Sequence, residues 1–128
     1  MAQYNDAKRY YLSARDIQLN IKNRNGLVWT YYGLGKTYEA LEKKNLAENQ
    51  FKKSIDTLEA VLSGMKVEEM KTGFLYSRTA PYEALIPLLF ETGRGNEAFE
   101  FAERSKARSF LYLLGNRRIN PKKDAPQE

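Results

Sequence analysis

The residues that most invite a chemical reading are one glycine-rich pentapeptide, two acidic pairs and two tyrosine pairs. Gly33-Leu34-Gly35-Lys36-Thr37 ends like a phosphate-binding loop, where glycines bring backbone amides to the phosphates and a lysine and a hydroxyl follow. The full pattern needs a glycine where Thr30 stands and a strand leading in, and the sequence supplies neither. Asp56 with Glu59, and Glu68 with Glu69, are acidic pairs of the kind used in acid–base chemistry. Without a histidine or a pocket to perturb them they read as solvated helix faces. Tyr10-Tyr11 and Tyr31-Tyr32 have the faces to stack nucleobases, yet aromatics at helical spacing read first as core. The chain contains neither histidine nor cysteine. This removes the commonest general base, the thiolate nucleophile and the commonest transition-metal ligands together. The expectation is a protein that is not an enzyme and uses no metal and no cofactor.

Composition narrows the class further. The chain has 128 residues, 42% hydrophobic and 29% charged, which suits one globular domain with a core of its own. The longest apolar run, Ala84 to Phe90, is too short to span a bilayer, and the opening residues, which lack a basic start followed by an apolar stretch, lead us to expect no secretory leader. A cytoplasmic location is expected. The net charge is +5, of which the segment 116–128 supplies +2 from four basic and two acidic residues. Elsewhere Glu and Asp interleave with Lys and Arg, whereas nucleic-acid binders concentrate positive charge on one face. Nucleic acid is therefore the alternative partner rather than the expected one; it would be met through Arg117-Arg118, Lys122-Lys123 and the basic helix faces.

Stepping from side chains to the elements that carry them, apolar residues recur with a period near 3.6 almost end to end, and no segment alternates like a strand. The pattern predicts about five helices. The first runs from Tyr4 to Arg24 and is closed by Asn25-Gly26; the second runs from Leu27 to Lys43. The third is capped by Asn45 with Glu48 reaching back as in a capping box, and ends near Ser63-Gly64. A fourth helical stretch, Val67 to Thr92, contains Pro81 and Pro87, which predict a break near Ser77–Pro81 and a milder distortion near Glu83. Gly93 and Gly95 mark a turn, and a last helix from Asn96 to Leu114 is stopped by Gly115. Residues 1–115 are the expected folded unit and 116–128 a mobile basic tail or linker.

A register repeats within these helices. Tyr31-x-x-Leu34-Gly35-x-x-Tyr38 is followed by Ala47-x-x-x-Phe51. It returns in degraded form as Tyr82-x-x-Leu85-Ile86-x-x-Leu89 and Ala98-x-x-x-Ala102. Upstream only a second helix is legible, Ala7-x-x-x-Tyr11-x-x-Ala14, so the chain begins in mid-repeat. Small residues at Gly35 and Ala47 suit close helix crossings, and Tyr38 and Phe51 suit the grooves beside them. The spacing resembles the tetratricopeptide repeat. That resemblance implies an all-α, right-handed array of antiparallel helix pairs that serves as a protein–protein interaction scaffold.

A narrower resemblance covers Ile55 to Leu114. Ile55–Leu62, Tyr82–Ile86 and Glu97–Ser109, followed by Phe110 and Leu111, resemble the last repeats before a CHAT domain, a caspase-like cysteine protease module. In that family the stretch matching Ala102–Ser109 joins repeats to protease. The resemblance implies a fragment of a larger protein whose repeats bind a partner or position an adjacent protease domain.

In the repeat class the first helices line a concave groove. Counted from Leu34-Gly35, the groove positions are Trp29, Tyr32, Lys36 and Glu39, with Glu83 and Phe90 from the later repeat. An aromatic pair flanked by charges suits a protein or peptide with an apolar anchor. The lysine-, arginine- and asparagine-rich clamp used by chaperone-tail binders in this class is represented by Lys36 alone. Finally, the terminal helices show no polar cap. Tyr4 and Tyr11 at one end, and Phe99, Phe101, Phe110 and Leu114 at the other, are expected to drive homo-oligomerisation.

Overall fold

The computed structural model describes residues 2–64 and 79–119, with side chains for all of these up to Ser109. The described residues form five α-helices and no strand: α1 (Ala2–Asn20), α2 (Arg24–Ala40), α3 (Lys44–Gly64), α4 (Ala80–Glu91) and α5 (Gly95–Ile119). Each packs on the next, giving the all-α array of helix pairs that the periodicity predicts.

Three connections share one design. Each spans three residues, and each carries a left-handed residue at the same place: Lys22 (φ 58°), Glu42 (φ 60°) and Gly93 (φ 78°). In each, the following amide reaches back five residues to a helix carbonyl, Asn23 to Gln18, Lys43 to Tyr38 and Arg94 to Leu89, all at 2.8 Å. This is the bonding by which a helix end satisfies its orphan carbonyls while reversing the chain. It corrects the first expected boundary. Asn25-Gly26 does not end α1; both lie in the first turn of α2, where the Asn23 side chain accepts the Gly26 amide at 3.1 Å. The left-handed residue that closes α1 is Lys22 rather than a glycine.

Two more boundaries differ. Asn45 is not the cap of α3 but lies inside its first turn, and the Ala47 amide bonds the Lys43 carbonyl. Glu48 turns away from the helix start toward Lys52 and Arg94. Gly115 does not stop α5, which continues to Ile119 and takes in the start of the expected tail. A glycine inside a helix costs only about 1 kcal/mol, which a long helix absorbs. Pro81 falls in the first turn of α4, where no intrahelical amide is required, and Pro87 sits in its interior on the exposed face. The Glu83 carbonyl therefore accepts no amide from position 87. The expected helical stretch from Val67 to Arg78, Glu68-Glu69 and Lys122-Lys123 lie outside the described residues.

The core runs through the repeat register. Val28, Ala47, Phe51, Ile55, Leu58, Tyr82, Leu85, Leu89 and Ala98 have no exposed surface. Gly33 and Gly35 explain the glycine-rich pentapeptide without any phosphate. They sit in α2, and a Cβ on Gly35 would overlap the Phe51 ring of α3 while one on Gly33 would overlap the Tyr11 ring of α1. One glycine thus admits an aromatic ring from each neighbouring helix. The Ser54 hydroxyl, fully buried, donates to the Val28 carbonyl at 2.7 Å and closes the α2–α3 seam.

Candidate functional site

α1 contributes no buried residue, so one side of its contact with α2 is open. There Tyr4, Ala7 and Tyr11 face Trp29, Tyr32, Gly33 and Lys36 across a depression of about 510 Å³. The helical period explains the convergence, since positions three and four apart stack on one face of each helix. The aromatic rings brace one another: Trp29 meets Tyr32 edge-on at 6.1 Å, and Tyr32 tilts against Phe51 at 6.1 Å. Trp29 and Tyr32 are half-buried and rest on the core, so their exposed edges are held in place rather than free to collapse. Lys36 projects over the Tyr32 ring with its Nζ 5.8 Å from the centroid, a distance at which the ring attracts the ammonium. Glu39 lies one turn on, 3.8 Å from Lys36.

On the other side of the array, charged groups tie α3 to α5. Arg94 forks onto Glu48, which also receives Lys52 at 2.8 Å, and Lys52 reaches Glu97 at 3.1 Å. Farther along, Glu59 accepts from Arg104 at 2.6 and 3.1 Å and from the buried Tyr82 phenol at 2.5 Å. The bond from Arg94 holds the Glu48 carboxyl below its ordinary range against the opposing effect of burial. Burial pushes Glu59 up, but the donors Arg104 and Tyr82 outweigh it and its pKa is lowered. Burial, then the Glu59 bond, pushes the Tyr82 phenol well above its ordinary value. Lys52 is raised because its bonds to Glu48 and Glu97 exceed the opposing effect of burial. These groups are paired with one another and hold the helices together. The sequence reading missed them. It assigned Glu48 to a cap and Glu59 to a solvated face, because their partners lie 45 or 46 residues away; Asp56 alone is as exposed as expected.

Of the expected groove residues, Trp29, Tyr32 and Lys36 converge on the depression, with Glu39 at its edge. Glu83 and Phe90 do not join it. Glu83 is exposed on α4 and accepts from Thr79 at 3.0 Å, and Phe90 is 61% exposed at the end of the same helix. Tyr4 and Tyr11, expected at an oligomer contact, line the depression. Phe101 is a correction: it is only 7% exposed, sits in the core and carries the Arg104 guanidinium 4.6 Å from its ring centroid, so it offers no surface to a second chain. Phe99, next but one, is 66% exposed. The side chains of Phe110 and Leu114 lie outside the described residues. No group of metal-binding side chains, and no helix long and apolar enough to cross a membrane, occurs among the described residues.

Residues 1–60, which span α1, α2 and most of α3, match the family described as tetratricopeptide repeat. The match covers just under half of the chain and supports a repeat region there; the register of Tyr31, Leu34, Gly35, Tyr38, Ala47 and Phe51 lies within it. No curated protein and no solved structure matches the chain.

Proposed function

We propose that this repeat region is a protein–protein interaction scaffold, that it is not an enzyme, and that its partner is a protein or peptide engaged through Trp29, Tyr32, Lys36 and Glu39. The observation that carries the reading is the rigid, half-exposed Trp29–Tyr32 pair beside an open depression with a lysine at its rim. Preorganised aromatic surface is where protein interfaces concentrate binding energy, because little entropy is lost when a partner covers it. The test is recovery of partners on immobilised protein. Partners retained by the native chain and lost with the double variant Tyr32→Ser, Lys36→Glu, at unchanged helicity, support the reading. Binding indifferent to both substitutions sinks it.

The finer parts of the proposal concern context. The Ala102–Ser109 stretch lies on α5, the long helix at the end of the array. It supports a parent in which the repeats precede a caspase-like protease domain, in the cytoplasm. Reading the gene beyond Glu128 tests this: a downstream segment without a His–Cys pair would remove the protease from the proposal. Exposed Tyr4, Tyr10, Ile17 and Phe99 support homo-oligomerisation of the chain. Sedimentation equilibrium at micromolar concentration should show association, and a monomer independent of concentration would exclude it.

A further inference from the structure

We infer that Asn25–Gly26 is a site of self-modification: when the α1–α2 turn opens, the pair converts to isoaspartyl–glycine, and the turn no longer closes as before. The folded turn holds the reaction off, so the modification records how often it opens.

The reaction needs only water. The Gly26 amide nitrogen gives its proton to solvent and attacks the carbonyl carbon of the Asn25 side chain. The carbon–nitrogen bond of the side-chain amide breaks and ammonia leaves, so that a five-membered imide remains. Water then opens the ring. Attack at the main-chain carbonyl, the commoner course, leaves the chain running through Cβ and Cγ as isoaspartate; attack at the other carbonyl leaves aspartate. In sum one water is consumed and one ammonia released, with nothing oxidised or reduced. A glycine after the asparagine speeds ring closure, because no side chain crowds the attacking nitrogen. Asn25–Gly26 is the only such pair in the chain.

The fold both requires this glycine and guards it. A Cβ on Gly26 would overlap Nε2 of Gln18, from α1, and Nδ2 of Asn23. Gln18 passes there to accept the Thr30 hydroxyl at 2.6 Å, and its main-chain carbonyl accepts the Asn23 amide at 2.8 Å. Packing of α1 on α2 thus calls for the residue that makes Asn25 labile. The guard is the cap, since the Gly26 amide donates to Asn23 Oδ1 at 3.1 Å. The helical backbone of α2 adds to it, because ring closure turns the Asn25 ψ far from the helical value of about −42°. The guard is also local: Asn23 and Arg24 are exposed, and a first turn opens at less cost than the core. Either product fits the closed turn badly. Isoaspartate adds a methylene to the main chain within the first turn of α2. Aspartate puts a charge where Asn25 Oδ1 is buried with no donor among the described residues.

The test follows Asn25 by peptide mapping and mass spectrometry during incubation at mildly alkaline pH, with isoaspartate and aspartate separated by retention. In urea the pair should convert as a free peptide does, and in the native chain at least about tenfold more slowly. Asn23→Ala removes the acceptor of the Gly26 amide and should raise the native rate about fivefold at unchanged helicity, the effect expected of losing a helix cap. Thr30→Val, which frees Gln18 from the turn, should act in the same direction. Glu59→Ala, which weakens the tie between α3 and α5 instead, should leave the rate near native. The purified isoaspartyl chain should be cut by trypsin after Lys22 several-fold faster than the unmodified chain. No conversion in urea, or equal rates in urea and in the native chain, overturns the inference. So does indifference to both Asn23→Ala and Thr30→Val, acceleration by Glu59→Ala equal to theirs, or an isoaspartyl chain that resists trypsin as the unmodified chain does.

Discussion

Gly33 and Gly35 allow one substitution to be made twice on a single helix with opposite expected results. Replacing either by alanine brings the same intrinsic gain, about 1 kcal/mol of helix propensity. The opposing term differs because the rings they face differ in freedom. At Gly35 the new methyl overlaps Cε1, Cδ1 and Cζ of Phe51, which has no exposed surface and belongs to the hydrophobic core. Relief requires the helices to separate, at the upper end of the roughly 1–3 kcal/mol typical of overpacking. Gly35→Ala should therefore be destabilised by about 2 kcal/mol. At Gly33 the overlap is with the outer end of Tyr11, a half-exposed side chain beside the open depression. Tyr11 can swing outward, forfeiting roughly 1 kcal/mol of contact, so Gly33→Ala should lie within about 0.5 kcal/mol of the native chain. Urea unfolding followed by far-UV circular dichroism measures both, provided the slope with denaturant is unchanged. Adding Phe51→Leu should cost less in the Gly35→Ala background than alone, because there it also removes the clash. Equal effects at the two glycines would refute the assignment of one ring to each.

Other outcomes follow from the turns and the charge clusters. Lys22→Gly and Glu42→Gly should each stabilise by about 0.5–1 kcal/mol, since both residues hold a left-handed conformation that glycine adopts without strain; a loss of stability in urea titrations would count against the turn geometry. Glu48 and Glu59 have folded-state pKa values below the unfolded reference of 4.5, so their contribution is present above that pH and is lost as the pH falls through the lowered values. Melting temperature should accordingly drop below about pH 4.5, and less steeply in Glu59→Gln. Tyr82 shifts the opposite way, so its contribution is present below its ordinary value of 10.0 and declines as the pH rises beyond it; Tyr82→Phe should flatten the alkaline limb of the same profile. Glu59→Ala should cost about 2 kcal/mol, because it leaves the buried Tyr82 phenol and the Arg104 guanidinium without their acceptor. A cost under about 0.5 kcal/mol would show that water replaces it freely.

What the residues determined by themselves is the helical state and the inward face of each helix. Of the positions named by the repeat register, Tyr31, Leu34, Ala47, Phe51, Tyr82, Leu85, Leu89 and Ala98 lie in the core, while Tyr38, Ile86, Ala102 and the α1 positions Ala7, Tyr11 and Ala14 are only half-buried. That information is local: a period of 3.6 and a small residue at a crossing are written within a turn or two. The turns were less legible, because the left-handed residues are Lys22 and Glu42, which carry no such preference, while Asn25-Gly26 nearby does. Tertiary structure alone decided the rest. Glu48 and Glu59 became ties between α3 and α5 because the packing brings Arg94 and Arg104 beside them, and no local pattern reports a partner 45 residues away. Phe101 and Phe99 went to opposite sides of α5, one into the core and one to the surface, according to where α3 and α4 lie. Tyr11 joined Trp29 and Tyr32 at one depression because Gly33 lets α1 approach α2 there, and a site made by two helices exists only once they have met.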